Sequence, residues 1–549
     1  MPSGNERDPT AEAVRQYAEE LTHWREHRGL TKGALATLMT YDRSYVSQIE
    51  GCHLPPTEDF TRRAEAVLDT GGALWQRWEA YSLAKVRGNR PLRRSWRSGE
   101  EPRELRTVEF IAWVADHSQI SFEEAYEAVA ARVEQFEVQA PSRRHAEAHR
   151  RSRVTREQFA QALIAYYGDP SIRENGATFY RAHVGEVPLT LSILSRPDWL
   201  EAAVRLETDQ ERFRLATPVS GIPDSPLEDA AVEAALRRLA SVEVSDTRFV
   251  NNPLYRLLDV AIERHRLTAT VALTDFAAYA LTIDLLELEL LDALTAPQLS
   301  DRDSADSRNM TTRMPLRDIY LPTVNSALSL DQRLCIGGPV CLLAIARTGT
   351  RFGQRDPDFL LVVQERSRGV LNVMGKLAVI PKAFHGPMVD AGAEVALSAS
   401  LERELEEELF GRQDLEQLSE DSHRRGDPLY PDRFSEPMKW LAERRRTDAY
   451  RVECTGFGIN TVSGNYEFPC LIVINDDEWW ARYGGQVEAN WEVARIRRYS
   501  SRDTAGLQAL ATDPRWSNEG LFAFLEGLRR LAELDTVSRL ALPRIRVEL

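Results

Sequence analysis

Apolar positions recur with two different periods along the 549-residue chain, and the change of period divides it. Residues 11 to 82 carry short patches at helical spacing separated by tight turns. Residues 104 to 135 keep the helical period, with Phe122, Tyr126, Val129 and Val133 three or four residues apart. Residues 155 to about 295 continue as a mostly helical region with loops. The stretch from 297 to 315 is polar and bounded by proline, which marks a linker. Beyond it, "VCLLAIARTG", "DFLLVVQERS" and "FPCLIVIND" are short apolar runs closed by turn residues, the signature of strands. One helical segment, about 395 to 409, lies between them.

This predicts an all-α N-terminal domain (11–82), a basic linker (83–103), a mostly α middle region (104–296), a second linker (297–331) and a C-terminal α/β domain (332–535). The most apolar long stretch, "TATVALTDFAAYALTIDLLELELLDAL", holds Asp275, Asp284, Glu287 and Glu289. Charges at that frequency predict a buried helix rather than a membrane span. Its "DLLELELLDAL" portion is either a dimer face or an internal core helix.

In the N-terminal patches, Leu21 and Trp24 share one helix face and Gly29 can close that helix in a left-handed cap. Thr31 is an N-cap for a second helix with Leu35, Ala36 and Leu38 inward. A third helix, "DRSYVSQIE", turns Val46 and Ile49 inward. Arg43, Ser44, Tyr45, Ser47 and Gln48 face outward, and Gly51 and Pro55-Pro56 stop the helix. Two short helices joined by a tight turn form a helix-turn-helix, whose second helix can present side chains to base edges.

Charge then limits how such a unit can act. Net charge is −15, so the whole chain repels nucleic acid and DNA binding must be local. "KVRGNRPLRRSWRSG" supplies six basic residues and no acidic one between Lys85 and Arg97. It is either a solvated linker or a set of phosphate contacts, which add affinity and not sequence choice. The five cysteines, Cys52, Cys335, Cys341, Cys454 and Cys470, are odd in number and form no CxxC pair. That fits a reducing cytoplasm better than a disulfide framework or a zinc site. The first residues have no apolar core of a signal peptide.

The N-terminal segment resembles the Cro/repressor-type helix-turn-helix family, also called the XRE family, over about 60 residues that include "GLT", "LA" and "SYVSQIEG". The resemblance implies that Lys32 touches phosphate and that Arg43, Ser44, Tyr45, Ser47 and Gln48 line the major groove of a double-stranded operator. It also implies a homodimer in a bacterial cytoplasm. Thr40 stands where the family has a turn glycine. A small helical bundle making only protein contacts is the alternative.

In "LERELEEELFG", Glu404, Glu407 and Glu408 share a helix face, with Leu401, Leu405 and Leu409 on another stripe. Stacked carboxylates repel unless a cation lies among them, and hard divalent ions prefer such oxygen ligands. The pattern resembles the signature helix of the Nudix family, with Arg403, Glu404, Leu405, Glu407 and Glu408 in register. The resemblance implies an α/β sandwich and a nucleotide-type ligand. Glu404, Glu407 and Glu408 would hold Mg2+, Glu407 and Glu408 would be catalytic if the site is active, and Arg403 would brace the loop by pairing with an acid such as Glu394. Departures lie on both sides: Glu394 is one residue further from Arg403 than the strict spacing, Val389 replaces the expected glycine, and Gly411 comes one residue later than the pattern. The two resemblances together favour a transcription regulator that senses a nucleotide-type ligand. A magnesium-dependent hydrolase of a nucleoside diphosphate derivative, with an accessory DNA-binding domain, is the alternative.

Overall fold

The computed structural model describes residues 9–39, 43–52, 56, 58–78, 81, 105–138, 154–168, 176–216, 226–245, 249–295, 314–349, 356–366, 376–388, 390–409, 434–484, 493–534 and 539–548. The chain forms two units, Met1–Glu104 and Leu105–Leu549.

In the first unit, helices α1 (Pro9–His27), α2 (Lys32–Leu38), α3 (Arg43–Glu50) and α4 (Glu58–Leu68) follow the apolar pattern. Gly29 ends the first helix at a φ of +67°, a conformation that a side chain resists. The Thr31 hydroxyl accepts from the Ala34 amide at 3.1 Å and starts the second. Tyr17, Leu21, Leu35, Ala36, Met39, Val46, Ile49, Phe60, Ala64 and Leu68 form one core. Leu38, expected inside, is 58% exposed, and Met39 takes the inward position. Thr40 lies outside the described residues.

The second unit begins with helices α5 (Val108–Asp116), α6 (Phe122–Val138) and α7 (Arg156–Tyr167). The expectation of a mostly helical middle region then fails. Strands β1 (Thr178–Val184), β2 (Val187–Ser195), β3 (Val204–Arg205) and β4 (Glu211–Leu215) come next. Helix α8 (Asp229–Glu243) precedes strands β5 (Pro253–Glu263) and β6 (Arg266–Asp275). The apolar stretch expected to be one buried helix is strand β6 followed by helices α9 (Phe276–Ala280) and α10 (Leu285–Thr295). Thr268, Thr270 and Val271 favour the extended chain, and Asp275 caps the first helix by accepting from the Ala278 amide at 2.8 Å. Leu285, Leu286, Leu290 and Leu291 are buried in the core of their own unit, so that helix is internal.

The expected second linker is also structured in part. Residues 297–313 lie outside the described residues, but α11 (Pro315–Tyr320) and α12 (Val324–Leu328) follow at once. Arg317 is buried and donates to the Thr461 carbonyl at 2.5 Å and the Val462 carbonyl at 2.9 Å. The basic linker, from residue 83, lies outside the described residues.

The expected strands form as β7 (Gly337–Arg347), β8 (Asp358–Arg366), β9 (Leu377–Val379), β10 (Tyr450–Cys454), β11 (Gly458–Asn460), β12 (Tyr466–Ile474), β13 (Val493–Ser500) and β14 (Ile545–Glu548). Helices α13 (Leu397–Leu409), α14 (Glu436–Ala442), α15 (Asp477–Tyr483), α16 (Thr504–Ala511) and α17 (Asn518–Leu534) connect them. The main sheet runs β13-β8-β7-β12-β11-β2-β1-β14, with β10 and β9 branching from it. Strands β7 and β12 are parallel, with Cys341 opposite Cys470. Strands β2 and β11 pair Leu194 with Ile459, so the middle and C-terminal regions share one sheet. The expected boundary between 296 and 332 therefore separates no two bodies.

Alternation along β7 divides the core. Val340, Leu342 and Ala344 face one layer with Phe522, Leu525 and Leu528 of α17. Cys341, Leu343 and Ile345 face the other with Leu397, Leu401 and Leu405 of α13. Gly527 lets α17 lie close, because a Cβ there would stand 2.8 Å from that of Leu342. A second sheet, β4-β6-β5, adds Tyr255, Leu257 and Leu267 to the α13 side.

Candidate functional site

The helix-turn-helix is held by charge as well as by its core. Arg25 Nε lies 2.5 Å from Glu50 Oε1, with side chains 9% and 3% exposed. The hydrogen bond to Glu50 raises the arginine's pKa against the opposing effect of burial. Arg25 Nη1 also donates to the Leu30 carbonyl at 2.9 Å, tying α1 to the turn before α2. Arg63 Nη1 donates to the Met39 carbonyl at 3.2 Å, where α2 ends. Lys32, expected on phosphate, has Nζ 3.0 Å from Glu50 Oε2.

Arg43 is exposed at the start of α3, and Ser47 is half-buried. Ser44, Tyr45 and Gln48 lie on the same helix, but their side chains lie outside the description. The clamp between α1 and α3 was not found from sequence. Its only signal is an acid at the end of a helix whose apolar face is otherwise complete.

Helix α13 carries the second candidate constellation. Leu397, Leu401 and Leu405 bury one stripe under the sheet. Glu211, from the start of β4, receives the Ser398 amide at 3.0 Å and the Ser398 hydroxyl at 2.8 Å. A carboxylate at that end suits the helix dipole. Further along, Glu402 takes Arg445 Nε at 2.6 Å. Glu207 also faces Arg445, 3.4 Å away, and burial together with Glu402 pushes its carboxyl up to about 9. Glu406 is fully buried and receives the Ser435 amide at 2.9 Å and hydroxyl at 2.8 Å.

The expected metal ligands divide in environment. Glu404 and Glu407 are half-buried, whereas Glu408 is 1% exposed. Glu408 Oε2 accepts the Lys382 amide at 3.1 Å. Among the described residues, no three His, Cys, Asp or Glu side chains are gathered to hold a metal ion. Glu404, Glu407 and Glu408 are thus not gathered as three ligands round one point.

The expected bracing residues meet at the loop before α13. Arg403 Nη1 and Nη2 reach the Gly386 carbonyl at 3.3 and 3.4 Å. Glu394 receives the amides of Met388 and Asp390, both at 2.7 Å. Strand β5 covers the same loop: the Tyr255 amide donates to the His385 carbonyl at 2.8 Å, and the Tyr255 hydroxyl donates to the Ala391 carbonyl at 2.7 Å. A Cβ on Gly386 would meet the Pro253 carbonyl at 2.6 Å, so the close approach needs glycine.

His385 is buried, with Nε2 3.0 Å from the Val395 carbonyl. Burial lowers its pKa to about 3, so it is neutral at ordinary pH. Trp479 is likewise in the core and donates to the Pro437 carbonyl at 3.2 Å.

Sequence also missed a polar cluster on the far side of Lys382. Its Nζ lies 2.7 Å from Glu519 Oε1. Asn460 Nδ2 lies 3.5 Å from Glu467 Oε1 and 3.4 Å from Glu519 Oε2. Burial pushes Glu467 up to about 8, with Lys382 opposing and Glu519 reinforcing. Burial also works against the Glu519 carboxylate, but Lys382 prevails and keeps its pKa below the ordinary value.

A family model described as a helix-turn-helix domain matches residues 16–78, which spans α1 to α4. No curated protein matches the chain. Among the described residues no helix is long and apolar enough to cross a membrane.

Proposed function

We propose that the chain is a sequence-specific transcription regulator with a Cro/repressor-type DNA-binding unit and a Nudix-like second unit that binds a nucleotide-type ligand without turning it over. The observation that carries the reading is the helix-turn-helix with Arg43 exposed at the start of α3. In such units the first residues of the second helix meet base edges. Arginine suits that place because its fork matches guanine. A second copy would read the other half-site of a paired operator.

Support for the sensor comes from the arrangement around α13. A helix lies on each face of the sheet, and Arg403 and Glu394 both hold the loop that leads into α13. Glu408 faces the Lys382 amide, which favours binding over metal-assisted hydrolysis. Ligand would favour one arrangement of the chain and shift DNA affinity by that preference.

The test selects duplexes from a random pool and measures their binding across a salt series, with and without ADP-ribose or NAD. The same samples are assayed for turnover with magnesium and for thermal shift. Selection of one operator, and stabilisation by a compound that is not consumed, are the expected results. Binding that ignores sequence would overturn the regulator. Magnesium-dependent turnover would replace the sensor with the hydrolase.

A further inference from the structure

Three of the five cysteines stand side by side on neighbouring strands. Cys454 of β10 is opposite Cys470 of β12, and Cys470 is opposite Cys341 of β7. All three are fully buried and face the α13 side of the sheet. A single buried cysteine is ordinary core packing. The register of this row carries more.

The Asn475 amide donates to the Ala449 carbonyl, and the Thr455 amide to the Pro469 carbonyl, each at 2.8 Å. Residues 449 and 455 therefore occupy the hydrogen-bonded positions of the β10–β12 ladder. Cys454 and Cys470, one step from Thr455 and Pro469, form a non-hydrogen-bonded pair. Such pairs have Cα atoms about 4.5 Å apart and the closer side chains. That separation lies within the span a disulfide bridges, about 4.4 to 6.8 Å. Cys454 Sγ donates to the Gly456 carbonyl at 3.2 Å and Cys470 Sγ to the Phe468 carbonyl at 3.4 Å, bonds that either thiol gives up on forming a disulfide. The parallel β7–β12 ladder has evenly spaced bonds and no such close position for Cys341.

We propose that Cys454 and Cys470 form an oxidisable dithiol that closes to a cross-strand disulfide when the chain meets a peroxide. One sulfur attacks the peroxide O–O bond, giving a sulfenic acid and one water. The second sulfur displaces the hydroxyl, forming the S–S bond and a second water. Two thiols are oxidised and one hydrogen peroxide is reduced. The bond would fasten β10 to the central strand. Strand β10 follows the turn bearing Arg445 and pairs with β3, which leads to Glu207, so the staple reaches the residues that grip α13 at Glu402.

The test uses the full chain with Cys52→Ser, which removes the exposed thiol and leaves four of the five cysteines. The folded protein is exposed to hydrogen peroxide, then unfolded in N-ethylmaleimide and digested. Loss of two alkylatable thiols, a peptide joining Cys454 to Cys470, and its disappearance after dithiothreitol are expected. Cys454→Ala should abolish the link, and should it fail to fold, the peptide map of its parent still decides. Four alkylated cysteines after peroxide, a link from Cys470 to Cys341, or sulfinic acid without a link would overturn the proposal.

Discussion

Arg25 and Glu50 join the first helix of the helix-turn-helix to the end of its third through a buried pair whose nitrogen and oxygen are 2.5 Å apart. Removing Glu50 leaves Arg25 only the Leu30 carbonyl and the exposed Glu26, 3.2 Å away. Glu50→Ala should cost about 3 kcal/mol, the lower end of the range for a broken buried pair. Hydrogen exchange on the full chain should show faster exchange over residues 9–78 and unchanged protection in the β7–β12 strands. Unchanged protection in both would make the pair energetically neutral.

The same carboxylate changes what is expected of Lys32. Its ammonium is 3.0 Å from Glu50, so contact with phosphate means sharing or leaving that partner. Arg43 is exposed. Arg43→Ala should weaken binding to a selected operator by about 1–3 kcal/mol, roughly five- to 150-fold, with relaxed sequence preference. Lys32→Ala should weaken it less and uniformly. Fluorescence anisotropy on matched and scrambled duplexes measures both, and a larger loss at Lys32 would reverse the assignment.

Glu408 should behave as a structural acceptor. Glu408→Ala leaves the half-buried Lys382 amide without that oxygen, at a cost of about 1 kcal/mol. The half-buried Glu404 and Glu407 should cost less when replaced by alanine. Millimolar magnesium should leave the melting temperature of the unmodified chain unchanged. A rise that disappears in Glu407→Gln would show the carboxylates gathered round a cation.

Glu467 makes stability depend on pH with a definite sign. Its folded carboxyl is raised to about 8, above the ordinary 4.5, by burial and by Glu519, with Lys382 opposing. The folded chain thus holds a proton that the unfolded chain has released. The resulting stability is complete below pH about 4.5 and is lost as pH rises through about 8. Between pH 6 and pH 9 the second unit should lose several degrees of melting temperature. Glu467→Gln, which stays neutral, should flatten that part of the profile. An equally steep profile in the variant would place the titration elsewhere.

The first unit was legible because its signals are local. Gly29, Thr31, Val46 and Ile49 each fix a cap or a face from nearby sequence. Leu401 and Leu405 of the α13 stripe and the strands of 337–347 and 466–474 were legible for the same reason, whereas the side chain of Leu409 lies outside the description. The middle strands were missed because β6 and the helices after it form one continuous apolar run, whose length suggests a helix. The surroundings of α13 were illegible because they come from afar. Glu211, Arg445, Ser435 and Lys382 each depend on a pairing that no window of sequence contains.

The joint sheet also sets an order of events during synthesis. Strand β1 pairs Arg181 with Glu548 and Val184 with Ile545, near the two ends of the second unit's strand series. Strand β2 meets β11 only after residue 460 has emerged. An N-terminal piece ending before β7 would therefore leave two apolar strands with open edges, a template for association with other chains. While it grows on the ribosome, this unit must keep its earliest strands from the wrong partners until nearly its last residues arrive.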